Sequence, residues 1–312
     1  MVLTGQMRER SEIQILQRQE IDEEKWSRCI EKAANSRVYA NHWYLDRVTE
    51  NWEALVWGDY EFVMPLPVRK KWGLKYVFQP LFSQQLGIFP APSLETGEKF
   101  MTKLYNLFYY CETSLNPHNL VFEVLKNAQI QPRDNFLLPL GGGYSALAAN
   151  FATNTKRNIA KAENNNLQLV TGMQTSEFIA FKKQNSGGRL TKEDTDRLRN
   201  LVSFLGYKGL GDVQGVYTPQ NELCAVVFFL RWKNRLIYLS ASSNEEGKNL
   251  GAMYFLVNQV IKEQAGEPFI IDFEGSMIPG VARFYAGFGA YNETYFQLKI
   301  NRLPWPLKLI KK

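Results

Sequence analysis

Residues 268–290 decide the fold, and they read Pro268-Phe-Ile-Ile-Asp-Phe-Glu-Gly-Ser-Met-Ile-Pro-Gly-Val-Ala-Arg-Phe-Tyr-Ala-Gly-Phe-Gly-Ala290. The short apolar run at 269–271 is typical of a strand that is buried on both faces. Asp272 and Glu274 follow at its end, where an open sheet usually presents its chemistry. Pro279 suits the first turn of a helix. The stretch therefore predicts a buried strand, a turn and a short helix.

The predicted helix has one apolar side, formed by Val281, Phe284, Tyr285 and Phe288. Asp272 and Glu274 alternate, so both side chains would share a face of the strand. If burial raised its pKa, one of the two carboxylates could deprotonate an acceptor amine. The alternative is that both are structural carboxylates satisfied by the turn.

Residues 281–289 resemble the late motif of the GNAT acyltransferases, in which a helix carrying an alanine and a tyrosine runs into a Gly-Phe or Phe-Gly turn. The resemblance implies that Tyr285 lies beside the sulfur of acyl-coenzyme A and protonates the departing thiolate. The alternative is a tyrosine packed on the sheet whose hydroxyl reaches a partner.

Bulk properties narrow the class of protein. A chain of 312 residues favours two domains. No apolar run approaches the ~20 residues of a membrane helix, and the first ten residues lack the apolar core of a signal peptide. We therefore expect a cytoplasmic protein without a membrane span.

Cysteine and histidine are too sparse for several kinds of site. The three cysteines lie far apart, and there are only two histidines, His42 and His118. This argues against a disulfide framework, a metal site and a histidine triad, so we expect no metal. Catalysis would then depend on carboxylates, Tyr, Lys, Arg or backbone groups.

Positive charge is concentrated in the second half of the chain. The first 144 residues carry 16 Lys and Arg against 17 Asp and Glu, a net charge of −1, whereas residues 145–312 carry 21 against 14, a net charge of +7. Arg157 and Lys161 stand four residues apart, on one face of a predicted helix. Such a face could hold a diphosphate, or it could simply be solvated.

The order of elements predicts an α+β protein with two similar halves. Each half has early helices, an antiparallel run of strands, a long helix and further strands, and Gly141–Gly143 divides them. We expect a helix over 93–114, a strand at 120–124, a long helix over 145–164 and a last strand at 294–300. The predicted domains are residues 1–144 and 145–312.

A second resemblance extends over nearly the whole chain. The segment Lys156-Arg-Asn-Ile-Ala-Lys-Ala162, with a strand after it, resembles the FemABX peptidyl transferases, as do residues 40–81 and 236–242. That family has two tandem GNAT-like domains, each a mixed, mostly antiparallel sheet flanked by helices. It adds amino acids from aminoacyl-tRNA to a cell-wall precursor. The chain lacks the coiled-coil arm that some members use for tRNA.

Residues 242–252 are similar to the pyrophosphate-binding loop of GNAT enzymes. Gly247 and Gly251 bracket a predicted helix start, and Lys248 adds positive charge. Glu245 and Glu246 depart from the pattern and would oppose a diphosphate. The alternative is an ordinary glycine-containing start of a helix.

Together these features predict an acyl- or aminoacyltransferase that forms an amide on an unidentified amine acceptor. The donor would be a phosphate-bearing acyl-CoA co-substrate over the second domain, near Arg157, Lys161 and the loop 247–251, and no covalently bound cofactor is expected. One alternative is a FemABX-type enzyme that uses aminoacyl-tRNA on a cell-wall precursor. Another is a non-catalytic GNAT-fold binding module.

Overall fold

The computed structural model describes residues 12–119, 128–188, 190–275 and 277–305. The chain divides into two compact units, the first formed by residues 1–133 and 294–312 and the second by residues 134–293. The predicted boundary after residue 144 therefore falls inside the second unit, and the last strand belongs to the first unit.

The first unit is a sheet with three α-helices among its described residues. Its helices and strands are α1 (Glu23–Lys32), α2 (His42–Val48), α3 (Leu94–Leu107), β1 (Ile13–Gln17), β2 (Trp52–Trp57), β3 (Phe62–Lys71), β4 (Leu74–Val77), β5 (Tyr110–Leu115), β6 (Ala128–Arg133) and, at the end of the chain, β14 (Tyr295–Asn301). The strands form a seven-stranded sheet in the order β1-β2-β3-β4-β5-β14-β6. All neighbouring pairs are antiparallel except β4 with β5.

A local capping residue explains where one helix of this unit begins. The Asp22 side chain accepts hydrogen bonds from the backbone of Glu24 and Lys25 and so caps α1. The helix predicted over 93–114 instead ends at Leu107, and that prediction was wrong, because the residues from Tyr110 pair with β14, far away in sequence. The strand predicted at 120–124 lies outside the described residues.

The second unit contains the remaining elements. They are α4 (Tyr144–Ala149), α5 (Thr153–Asn164), α6 (Thr175–Asn185), α7 (Lys192–Tyr207), α8 (Glu245–Leu250), α9 (Ala252–Gln264), α10 (Pro279–Ala286), β7 (Phe136–Pro139), β8 (Gln168–Thr171), β9 (Gly211–Tyr217), β10 (Leu223–Trp232), β11 (Arg235–Ser243), β12 (Ile270–Asp272) and β13 (Tyr291–Asn292). The sheet has seven strands in the order β13-β7-β12-β11-β10-β9-β8. Among the described strands of this sheet, β11 and β12 pair in parallel and the other neighbours are antiparallel.

The single long helix predicted over 145–164 is wrong, because α4 and α5 are separate. Between them, Phe151 is buried in the core, and the backbone N–H of Ala152 donates to the carbonyl of Gly287, 2.9 Å away. A tertiary contact therefore satisfies a backbone group that a continuous helix would have used internally.

Helices cover both faces of the second sheet. A large apolar cluster joins one face to α5, α9 and α10, and it includes Phe229, Tyr238 and Tyr285. The helices α6 and α7 pack on the strands from the other side through buried side chains such as Phe178 and Leu198. In the described part of the chain, no helix is both long enough and apolar enough to span a membrane.

Candidate active site

The strands β11 and β12 separate within the second unit. Their parallel pairing covers only Arg235–Ile237 of β11, opposite Ile270–Asp272, while β11 continues to Ser243. Beyond Ile237, β11 therefore keeps a ladder partner only on its β10 side. We call the unpaired side, from Tyr238 to Ser243, the open edge of β11.

A β-bulge lies at the start of this open edge. Ser240 pairs with Phe228 and Tyr238 with Phe229, so Leu239 has no opposing residue in β10. Bulges bend a strand and change the direction of its side chains, and they are common beside active sites. Here the bulge turns the side chains of Tyr238 and Ser240 to opposite faces of the sheet.

Aromatic rings surround Tyr285 at the start of the open edge. The Tyr285 ring stacks on Phe273 with centroids 4.7 Å apart, and it lies 5.9 Å from Tyr238 and 6.0 Å from Phe136. Tyr285 belongs to α10 and Phe273 follows β12, so the stack joins the helix to the end of the strand. The sequence placed Tyr285 on the apolar side of its helix, and the structure does the same.

Tyr285 remains protonated at neutral pH. It is only 7% exposed, and burial first, with the nearby charge of Glu274 second, raises its pKa well above the usual range. Among the described residues, none accepts a hydrogen bond from its hydroxyl group. A protonated, uncommitted phenol can donate a proton but cannot serve as a base.

Asp272 is held in a structural ion pair. One carboxylate oxygen lies 2.7 Å from Nη1 of Arg235, and the other accepts the backbone N–H of Glu274 at 3.0 Å. Asp272 is 2% exposed. Because both oxygens are occupied and the partner is a cation, the geometry supports the structural role for Asp272 better than that of a general base.

Glu274 is better placed than Asp272 to act together with Tyr285. It is half-buried, and it acts electrostatically on Tyr285. Its φ angle of 58° is in the left-handed region, which is costly for a residue with a side chain. Such strain is typical of functional turns, and Glu274 is the carboxylate that the structure brings to Tyr285.

The loop 244–251 resembles the predicted phosphate loop only in outline. The side chain of Asn244 accepts the N–H of Gly247 at 2.7 Å, so that donor is already used. Lys248 forms an exposed ion pair with Glu245. Gly247 is needed for packing, because a Cβ there would lie 2.1 Å from the Cys224 carbonyl oxygen.

Gly251 brings α5 against the start of α9. Its φ angle is 76°, and a Cβ at this position would lie 2.7 Å from the backbone oxygen of Asn158. On α5, Asn154 donates to the Tyr254 hydroxyl of α9 at 3.3 Å and accepts from Arg157 at 2.7 Å. The exposed polar face of α5 therefore lies beside the N-terminus of α9.

Arg157 and Lys161 are both exposed on α5, as expected for a phosphate-binding face and equally for a solvated one. The start of α9 carries no side-chain cap. Among the residues that the structure describes, no group of three or more His, Cys, Asp or Glu side chains could hold a metal ion.

Sequence reasoning missed three polar residues of this region. Tyr238 lies inside an apolar run, and Arg235 follows a hairpin turn, so neither carries a local signal. Lys182 does carry one: it stands four residues after the buried Phe178, at a helical spacing that turns it towards the sheet.

Comparisons with known proteins place the fold. No protein-family model matches the chain, and no curated protein does. The crystal structure of FemX superposes with a TM-score of 0.64 at 12% identity, covering 96% of this chain and 99% of FemX. L-PGS from Bacillus licheniformis gives a TM-score of 0.56 at 10% identity, covering 93% of this chain and 94% of L-PGS.

A third solved structure is the C-terminal domain of a putative lysylphosphatidylglycerol synthetase from Agrobacterium fabrum, with a TM-score of 0.53, 10% identity and coverages of 93% and 94%. At such identities the likeness shows the fold. The prediction of a FemABX-like α+β fold with two mixed, mostly antiparallel sheets is therefore confirmed.

Proposed function

We propose that this protein is an amide-forming acyl- or aminoacyltransferase whose donor carbonyl lies at the open edge of β11. The observation that carries the proposal is the separation of β11 from β12, with the protonated Tyr285 at its start. The FemX-like fold supports it. Activity follows from the site and not from the fold alone.

The proposed reaction has one acceptor and one leaving group. The acceptor amine attacks the donor carbonyl, and a C–N bond forms while the bond to the leaving oxygen or sulfur breaks. The Tyr285 hydroxyl donates its proton to the leaving group, and Glu274 accepts the proton that the amine loses. A proton then passes from Glu274 back to Tyr285, so the net products are an amide and a protonated leaving group, and alignment of the two substrates supplies much of the rate.

The details of the loop favour an aminoacyl ester of tRNA as the donor, which is the FemABX-type alternative. The Gly247 N–H and the Lys248 ammonium, which would meet a diphosphate, are both engaged within the protein. Arg157 and Lys161 are exposed instead, as suits contact with a polyanion. In this alternative, the acceptor is a cell-wall precursor.

Acyl-CoA is the second candidate donor. The uncapped start of α9 lies beside the face of α5 that carries Arg157, and free backbone N–H groups at a helix N-terminus bind phosphate. This arrangement would receive the diphosphate at Gly251, the second glycine of the predicted loop, and not at Gly247.

Donor binding by the full chain tests the proposal. Acetyl-CoA and bulk aminoacyl-tRNA would each be titrated while thermal unfolding is followed, and products with a panel of amines would be read by mass spectrometry. We expect aminoacyl-tRNA to stabilise the protein, with a steep loss of affinity as salt rises. Stabilisation by acetyl-CoA alone would instead select the thioester.

Two double variants sharpen the experiment. Arg157→Ala with Lys161→Ala should reduce the slope of log affinity against log salt by about one to two. The matched control is Lys192→Ala with Lys208→Ala, which removes two exposed lysines on and beside α7. This control should leave the salt slope unchanged. If neither donor binds and no amide forms, the non-catalytic binding module becomes the better account.

A further inference from the structure

Lys182 brings its ammonium group to the face of the second unit's sheet that α6 covers. It belongs to α6, next to the buried Phe181, and its Nζ donates to the backbone carbonyl of Ala241 at 2.9 Å. Burial lowers the pKa of Lys182 to about 8, so the ammonium form still dominates at neutral pH. An ammonium has three donors, and one of them is accounted for.

The carbonyl that Lys182 contacts lies on the open edge of β11. The N–H of Asn244 donates to the Cys224 carbonyl of the neighbouring chain segment, so Asn244 faces β10. Alternate residues of an antiparallel strand face the same neighbour, so Ser242 also faces β10 and Ala241 faces away. Ala241 lies beyond Ile237, where pairing with β12 ends. The ammonium of Lys182 therefore lies where the two strands have separated.

A buried donor without a partner lies on the face of the sheet that α6 covers. Ser240 is 6% exposed, and its buried hydroxyl group has no hydrogen-bond partner. Ser240 pairs with Phe228, whose side chain lies on the face of the sheet opposite to that of Phe229. The Ser240 side chain therefore points away from the apolar cluster around Tyr285 and towards the face that α6 covers. Ser242, two residues on, shares that face and is half-buried.

No carboxylate of the described residues forms an ion pair with Lys182. Burial alone lowers its pKa, with no contribution from a neighbouring charge. Lys182 is half-buried, and withdrawing part of a cation from water without a counter-charge costs stability. Such a cation beside an open strand edge produces a positive potential there, and this potential favours the binding of an anion.

We propose that Lys182 and Ser240 bind an anionic group of the acceptor, a carboxylate or a phosphate, at the open edge of β11. The proposal rests on the proposed function, because it assigns the acceptor to the face of the sheet opposite Tyr285. Because of the bulge at Leu239, Tyr238 and Ala241 lie opposite Phe229 and Val227, so they are separated by roughly 7 Å along the strand. That spacing lets the anionic group bind at Lys182 while the amine reaches the donor carbonyl near Tyr285.

Anion binding can be measured without any transferase assay. Full-length protein carrying ¹³C- and ¹⁵N-labelled lysine would be titrated with sodium phosphate, sodium acetate or sodium chloride at matched ionic strength, and the side-chain signals followed by NMR. The Lys182 signal should shift saturably with phosphate or acetate and not with chloride. The stronger of the two identifies the class of anion. The signal of the exposed Lys183 is the internal control.

Three variants separate binding from a structural role. Lys182→Met should abolish the anion-induced rise in melting temperature, and Ser240→Ala should weaken the anion about tenfold. Lys182→Arg keeps the charge and should restore part of the binding. In turnover, Lys182→Met should raise KM for the acceptor about tenfold with little change in kcat.

The proposal is overturned if the Lys182 signal moves no more than that of Lys183 with both anions. It is also overturned if Lys182→Met unfolds more readily than the parent while KM is unchanged, since the lysine would then only support the Ala241 carbonyl. Saturable anion binding without amide formation would keep this site and refute the transferase proposal alone.

Discussion

The ring of Tyr285 stacks on the ring of Phe273, with centroids 4.7 Å apart and planes inclined by 20°. Phe273 follows the last residue of β12, so the stack fixes the tyrosine relative to the point where β12 leaves β11. The hydroxyl group contributes no hydrogen bond to a described residue. The ring of Tyr285 therefore supports the fold, and its oxygen atom is free for chemistry.

Replacing Tyr285 by Phe should leave stability almost unchanged. The ring contacts are retained, and the lost hydroxyl leaves no described partner unsatisfied, so we expect a change of less than about 0.5 kcal/mol in the free energy of unfolding. Urea denaturation followed by circular dichroism measures it. A loss of several kcal/mol would mean that the hydroxyl is structural.

The Arg235–Asp272 ion pair should show strong coupling. Replacing Arg235 by Met leaves a carboxylate buried without its counter-charge and should cost about 3–5 kcal/mol of unfolding free energy. Adding Asp272→Leu to that variant should recover part of the loss. The exposed pair of Lys248 with Glu245 is the control, and Lys248→Met should cost at most about 1 kcal/mol. Additive losses at Arg235 and Asp272 would contradict the assignment.

Stability should depend on pH through Lys182. Its pKa is about 8 in the folded protein and 10.5 when unfolded, so between these values the unfolded chain binds more protons. Stability therefore rises with pH across this window, by on the order of 3 kcal/mol in total, and the penalty is fully present below pH 8. Unfolding free energies at several pH values, compared with those of Lys182→Met, isolate this effect. The variant should be more stable at neutral pH, and equal pH profiles would contradict the prediction.

Gly251 should resist substitution for two separate reasons. Gly251→Ala places a Cβ 2.7 Å from the backbone oxygen of Asn158, at a φ angle of 76°. Gly172→Ala has a similar φ angle of 69° but open space around it, so it measures the backbone cost alone. We expect Gly251→Ala to cost about 1–3 kcal/mol more than Gly172→Ala in chemical denaturation. Equal losses would show that α5 can move away.

Local chemistry explains several elements of the fold. The Asp22 cap, the Thr191–Asp194 capping box and the β10–β11 hairpin each depend on residues close together in the sequence. Capping needs only a side chain and the three residues after it, so the sequence contains the whole cause.

The errors have distant causes. The helix predicted over 93–114 stops because Tyr110–Leu115 pairs with a strand that arrives after residue 294. The break between α4 and α5 depends on the carbonyl of Gly287. Neither partner can be found from a local window, since tertiary pairing overrides propensity.

The candidate site likewise contains residues that the sequence could reveal and one that depends on distant parts of the chain. Glu274 was found because it follows the end of a strand, and Tyr285 because residues 281–289 resemble the late motif of the GNAT acyltransferases. Lys182 was missed although it stands four residues after the buried Phe178, because that spacing alone cannot tell a lysine at the edge of the buried face from one that reaches solvent. Only the path of β11 shows that its ammonium meets an unpaired carbonyl.

The rate of amide formation under saturating donor tests the central claim most directly. The parent protein, Tyr285→Phe and Tyr291→Phe would be compared with the donor that stabilises the chain and the same panel of amines. Tyr291 is exposed and serves as the matched control. The account predicts a fall of about a hundredfold or more for Tyr285→Phe and no change for Tyr291→Phe. Equal rates for all three proteins would contradict it.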